Sequence, residues 1–272
     1  MAVAFTGKSP SDALLAAPDP QAQVETLLSS PDFYERYASF INRSFLKSAG
    51  PDPQSEAPYW LSLRILNENK PWKDLFLGPY NVSADQNGKV TAGDDPKGLG
   101  YFRSDAWMRK HAGGEAAGIR LTTAARIIQN VVGLKLEAAP AKPDQDRSAV
   151  GREAPDCRGC HFDSWFALDR VASVLSRRVG TGADLTFGAQ PSPSAQAFDG
   201  VTITSDKDIV TTLTSSEQFL FHQCSLAFTF LYGRSENACE GAAVDKCMNA
   251  LKSTGSIKSG LAEIVKDPAF CD

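Results

Sequence analysis

A mainly α protein with one short β-hairpin is what the sequence predicts, on three observations. Apolar residues recur at helical spacing through most of the 272 residues; the breaks between these runs carry residues that start and stop helices; strand-like stretches are confined to "ADLTFG" and "VTIT". At 42% hydrophobic residues the chain has material for a substantial core, in one large domain or two modest ones. The expected division is an N-terminal helical region, 1–115, and a C-terminal module, 116–272.

In chain order, "AQVETLLSSPDFYERYASFINRSFLK" reads as two helices, the second starting afresh at Ser30 and Pro31. "LSLRILNENKPWKDLFLG" has the same spacing, broken at Pro71, and the polar, glycine-rich "NVSADQNGKVTAGDDPKGLG" reads as a connection. "SDAWMRKHAG" is a helix with Ser104 as N-cap, and "LTTAARIIQNVVG" is an amphipathic helix stopping at Gly133. Proline and charge without periodicity make Glu137 to Pro155 a surface loop. Helical spacing resumes in "FDSWFALDRVASVL"; "ADLTFG" and "VTIT" then flank a Pro/Ser-rich turn as a hairpin. The end is helical in "SDKDIVTTL", "SEQFLFHQCSLAFTFLYG", "AAVDKCMNALK" and "IKSGLAEIVKD".

A formal net charge of -4 leaves no general phosphate-binding surface, so nucleic acid is not an expected partner. No run of about eighteen apolar residues is present, so no transmembrane segment is expected in this sequence. The opening "MAVAFTGKSP" lacks the basic and apolar regions of a secretory signal. Four of the six cysteines, Cys224, Cys239, Cys247 and Cys271, nevertheless cluster near the end in the even number that suits disulfides. The expectation is a periplasmic or otherwise extracytoplasmic protein whose targeting signal has been removed.

The most informative stretch is "REAPDCRGCHFDSWFALDR", which packs Cys157, Cys160 and His161 into a C-x-x-C-H. Thiols three apart emerge on one side of a helical turn, where they can grip one flat object. Haem offers two vinyl groups for thioether bonds, and the adjacent imidazole then reaches an axial position on the iron. Tetrahedral zinc needs four ligands, which the adjacent Cys160 and His161 are poorly placed to complete; a thioredoxin-like motif belongs after a strand, whereas Cys157 follows a proline-containing loop. The expected cofactor is one haem c, bound through Cys157 and Cys160 with His161 as axial ligand.

The surrounding residues resemble a family of bacterial cytochrome c proteins abundant in planctomycetes and myxobacteria. In "APDCRGCHFDSWFALDRVASVL", Phe166, Ala167 and Leu168 match a segment of the form D-P-x-G-F-A-L-E-x-F-D, with Asp163-Ser164 in place of Asp-Pro. "GIRLTTAARIIQNVVG" is similar to the family's helix upstream of the haem motif at Arg120, Thr122, Asn130 and Gly133, without its Ser-Pro. Cys224, Tyr232 to Arg234 and Asp267 to Phe270 match its C-terminal module, with aspartate for the usual serine. The resemblance, over about two thirds of the chain, implies a cytochrome c-like helical haem module.

The distal ligand decides between electron storage and chemistry on an open iron. His111 ranks first, because it matches a histidine in many family members; Met108, three positions away on the same expected helix, ranks second. His222, in an apolar run, is third, and Met248 reads as core filling. Phe162, Trp165 and Phe166 stand where they can shield the macrocycle, and Arg158, Arg170 and Arg126 are candidates to pair with propionates. For the cysteines the resemblance implies Cys224–Cys239, leaving Cys247 with Cys271; hairpin geometry alone offers Cys224–Cys247 with Cys239–Cys271. The first pairing is the expectation. Function is expected to be electron transfer to a redox partner protein by a monohaem cytochrome. The alternatives are a haem enzyme of peroxidase or oxidase type and a haem-bearing subunit of a larger assembly.

Overall fold

The computed structural model describes residues 1–46, 56–84, 87, 89–104, 107, 121–137, 144–179, 186–188 and 194–267. The protein is mainly helical. It divides into two compact units, one made of Met1–Ala106 with Glu217–Asp272 and the other of Trp107–Ser216. This division differs from the one drawn at 115/116, because the C-terminal helices go with the N-terminal region.

The first unit begins with α1 (Ala2–Thr6), α2 (Asp12–Leu15), a 3₁₀ turn at Pro20–Gln23 and α3 (Val24–Leu28). Helix α4 (Pro31–Phe45) starts where the sequence predicts: Ser30 Oγ accepts from the Phe33 amide, Pro31 takes the first turn, and Asp32 complements the helix dipole. Its spacing buries Phe33, Tyr37, Ile41 and Phe45 on one face. Helix α5 (Ala57–Asn67) and the short α6 (Asp74–Leu77) flank Pro71 as expected. The stretch read as a connection instead contains a hairpin, β1 (Tyr80–Ala84) with β2 (Val90–Asp94), antiparallel with Tyr80 opposite Asp94. Tyr80 and Val82 point inward and are buried, a period-two signal masked by the polar composition around it.

The second unit contains α7 (Leu121–Val132), closed by Gly133 at φ +77°, then α8 (Ala149–Arg152), α9 (Pro155–Arg158) and α10 (Leu168–Val174). Helix α8 lies inside the predicted loop; Ser148 caps it by accepting from the Gly151 amide. The predicted hairpin is replaced by two. Residues Arg177–Val179 (β3) pair with Thr186–Gly188 (β4), and Gln196–Phe198 (β5) with Val201–Ile203 (β6). "TFG" and "VTI" are therefore strands, but not of one hairpin. Asp199 and Gly200, both at positive φ, join β5 to β6 in the Asp-Gly turn whose twist suits two-residue hairpins. Helix α11 (Asp206–Thr214) follows, started by a reciprocal Ser205–Asp208 capping box. Ile127, Ile128 and Val131 of α7, Val171 and Ala172 of α10, and Ile209, Val210 and Leu213 of α11 are buried, and α7 packs on both other helices.

The chain then returns to the first unit with α12 (Glu217–Tyr232), α13 (Gly241–Thr254) and α14 (Ile257–Val265). An aromatic core forms here: Tyr37 stacks on Phe33, meets Phe230 edge-on at 5.0 Å and lies 5.6 Å from Trp72. The buried Trp72 indole donates to Gln223 Oε1 at 2.9 Å. Burial pushes the Tyr37 phenol well above its ordinary pKa. Among the described residues, no helix is long and apolar enough to cross a membrane.

Cys224 of α12 is bonded to Cys247 of α13, Cα to Cα 5.9 Å, which overturns the expected Cys224–Cys239 and Cys247–Cys271 pairing. The reason is helical reach. Cys224 lies eight residues before the end of α12, about 12 Å along its axis, whereas Cys239 sits in a 3₁₀ turn beyond that end. The antiparallel hairpin brings Cys247 level instead. Cys239 is an exposed free thiol, and Cys271 lies outside the described residues.

Candidate functional site

The C-x-x-C-H sits in the second unit. Pro155 opens α9, whose single turn carries Cys157 and Arg158, and Gly159–Asp163 continue it as a wider, π-type turn carrying Cys160 and His161. The segment ends where Ser164 turns extended; its amide returns to the Gly159 carbonyl, and its hydroxyl accepts from the Ala167 amide ahead of α10. Cys157 is half-buried and Cys160 exposed, and both are free thiols. Gln145 Nε2 lies 3.5 Å from Cys157 Sγ.

His161 is not left to rotate. Its Nδ1 lies 2.6 Å from Oδ2 of Asp169, in the first turn of α10. Asp169 is held in turn by Arg152 at the end of α8: Nη2 and Nε donate to Oδ1 at 2.7 and 3.0 Å, and Nε reaches Oδ2 at 3.1 Å. The Asp169 side chain is 8% exposed, Arg152 13% and His161 21%, so exposure rises from the carboxylate toward the imidazole. With Arg152 occupying Oδ1, the open side of Oδ2 accepts the Nδ1 proton. In a neutral imidazole held this way the lone pair is at Nε2, the remaining ring nitrogen.

Three short elements thus converge on one imidazole. Sequence reading found Cys157, Cys160 and His161 but missed Arg152 and Asp169. The signal for Asp169 lies in α10 itself, where an acid three residues before the buried Ala172 occupies an inward-facing position.

Phe162 and Phe166 are half-buried beside the motif. Trp165 is 43% exposed, although it packs edge-on against Phe166 at 5.6 Å and Phe198 at 6.0 Å. Arg158 pairs with Asp163 on the same segment, Nε to Oδ2 3.1 Å, with both side chains about half exposed. Arg126 donates to Gln129 at 3.5 Å, and Arg170 is half-buried. His222 on α12 and Met248 on α13 belong to the first unit, each half-buried. His111 and Met108, the first two distal candidates, lie outside the described residues.

The motif sets two free thiols three residues apart beside an imidazole tied at Nδ1 to a carboxylate, a donor set that a covalently held haem could use. A closed zinc site would instead need converging ligands. Among the described residues, no three His, Cys, Asp or Glu side chains are arranged to hold a metal ion. No protein-family model, curated protein or solved structure matches the chain.

Proposed function

We propose that the second unit carries one haem c and that the protein is a monohaem cytochrome transferring electrons to a redox partner in an extracytoplasmic compartment. The observation that carries this reading is the Asp169–His161 bond beside two free thiols. An imidazole tied at Nδ1 and presenting a lone pair at Nε2 is in the form an iron ligand needs. Cys157 and Cys160 would hold the group, each thiol adding across a vinyl: sulfur bonds to one carbon and the thiol proton goes to the other, with no net oxidation. The haem, when bound, supplies a one-electron couple.

The protein's own residues do the rest. Asp169 and Arg152 keep His161 oriented, and the exposed edge of Trp165 gives a partner an apolar contact beside the motif. The resemblance to bacterial cytochrome c proteins agrees with this reading. The Cys224–Cys247 disulfide agrees with an oxidising compartment.

Mass measurement of protein co-expressed with cytochrome maturation machinery tests the attachment. One covalent haem, lost in Cys157→Ala/Cys160→Ala, is expected, and an unmodified chain refutes the reading. A low-spin spectrum unchanged by carbon monoxide supports electron transfer; rapid carbon monoxide binding would move the assignment to a haem enzyme with an open iron.

A further inference from the structure

The Arg152–Asp169–His161 chain does more than hold a side chain still. A carboxylate accepting the Nδ1 proton of an imidazole raises the electron density at Nε2 and makes it a stronger ligand. A guanidinium on the same carboxylate acts in the opposite sense, because it draws charge from the oxygen that the imidazole uses. Here both are present at 2.6–3.1 Å, on a carboxylate almost shut off from water, where such interactions are screened least.

We propose, resting on the assignment of His161 as the iron ligand, that Asp169 is the positioning residue that sets the reduction potential of this site, and that Arg152 tempers it. Asp169 strengthens the His161 donor and so favours the oxidised iron. Arg152 keeps that push below what a bare carboxylate would give. The two side chains come from α8 and α10, on either side of the haem-attachment turn, so the setting is built into the fold of the second unit.

The test is a redox titration of the haem-loaded protein and its Asp169→Asn, Asp169→Glu and Arg152→Gln variants. Asp169→Asn should favour the ferrous state about tenfold over the parent, which is about 59 mV upward for a one-electron couple. Arg152→Gln should move the potential downward, and Asp169→Glu should return it toward the parent. A merely structural role would loosen the site in both main variants and shift them in the same direction. Shifts of one sign, or potentials within about twofold of the parent in both variants, would overturn the proposal. If Asp169→Asn fails to retain haem, the downward shift of Arg152→Gln carries the test.

A second readout needs no haem. Long-range ¹⁵N–¹H spectra of histidine-labelled apoprotein should show His161 as a single Nδ1–H tautomer, lost in Asp169→Ala, and a parent protein in the Nε2–H form would overturn the inference. If the parent carries no covalent haem while His161 keeps the Nδ1–H tautomer, the assignment of the cofactor fails and takes the potential with it, and only the orientation of His161 by Asp169 stands.

Discussion

Reduction of the Cys224–Cys247 disulfide should cost the first unit about 3.4 kcal/mol. Both cysteines are fully buried, and 23 positions separate them. The chain-entropy relation for a loop of that length gives about 11.4 cal/mol/K, or about 3.4 kcal/mol at 25 °C. For a domain of this size that is a fall of about 7 to 14 °C in melting temperature. Hydrogen exchange at the amides of α12 and α13, with and without reductant, reads the first unit separately from the second. Cys224→Ala/Cys247→Ala should lose at least as much, because it also removes two buried sulfurs. Opening free energies in α12 and α13 that fall by less than about 1 kcal/mol on reduction would refute the reasoning, as would a non-reducing peptide map joining Cys224 to Cys239.

Three further outcomes follow from the same unit. A Cβ at Gly260 would lie 2.7 Å from Cys247 Sγ, so Gly260→Ala should destabilise by about 1 to 3 kcal/mol in urea unfolding, and by clearly less once the disulfide is removed. Trp72→Phe deletes the buried bond to Gln223 Oε1 and should cost about 1 to 3 kcal/mol by the same measurement. Glu240 is held down at about 2 by its hydrogen bonds with Arg234, against burial that would raise it, and by the Asn237 amide. A carboxylate depressed by folding stabilises above its ordinary value and loses that contribution as pH falls through the folded one. Carbon-detected titration should therefore show Glu240 still ionised at pH 3, moving to its ordinary range in Arg234→Ala.

The long amphipathic helices were legible because each carries its own boundary chemistry. Ser30-Pro31 starts α4, Gly133 ends α7, and the apolar spacing between such marks is one that only a helix satisfies. The hairpins were not legible on the same terms. β1 hides two inward residues among polar ones, and the pairing of β5 with β6 depended on weighing Asp199-Gly200 above the proline-rich stretch before it. At the site, the two thiols and the imidazole are contiguous in sequence and so were visible at once. Arg152 and Asp169 are seventeen residues apart and meet only because a helix, a π-type turn and another helix fold back around His161. The disulfide shows the same limit: the candidate partners were all in view, but choosing among them required the length of α12.

Because the second unit is a continuous insertion in the first, the chain is synthesised in an order with its own chemistry. Helices α1 to α6 emerge early, yet Tyr37 and Trp72 meet Phe230 and Gln223 only after the whole of Trp107–Ser216 has been made, about 5 to 20 s later at ordinary elongation rates. Through that interval Tyr37 keeps Phe33 and Trp72 within reach but lacks Phe230, and Trp72 lacks Gln223. The inserted unit, Trp107–Ser216, is complete in sequence before α12 begins. A substitution in α12 to α14 therefore acts on contacts that the early helices make last, whereas one in α7 to α11 acts within the inserted unit.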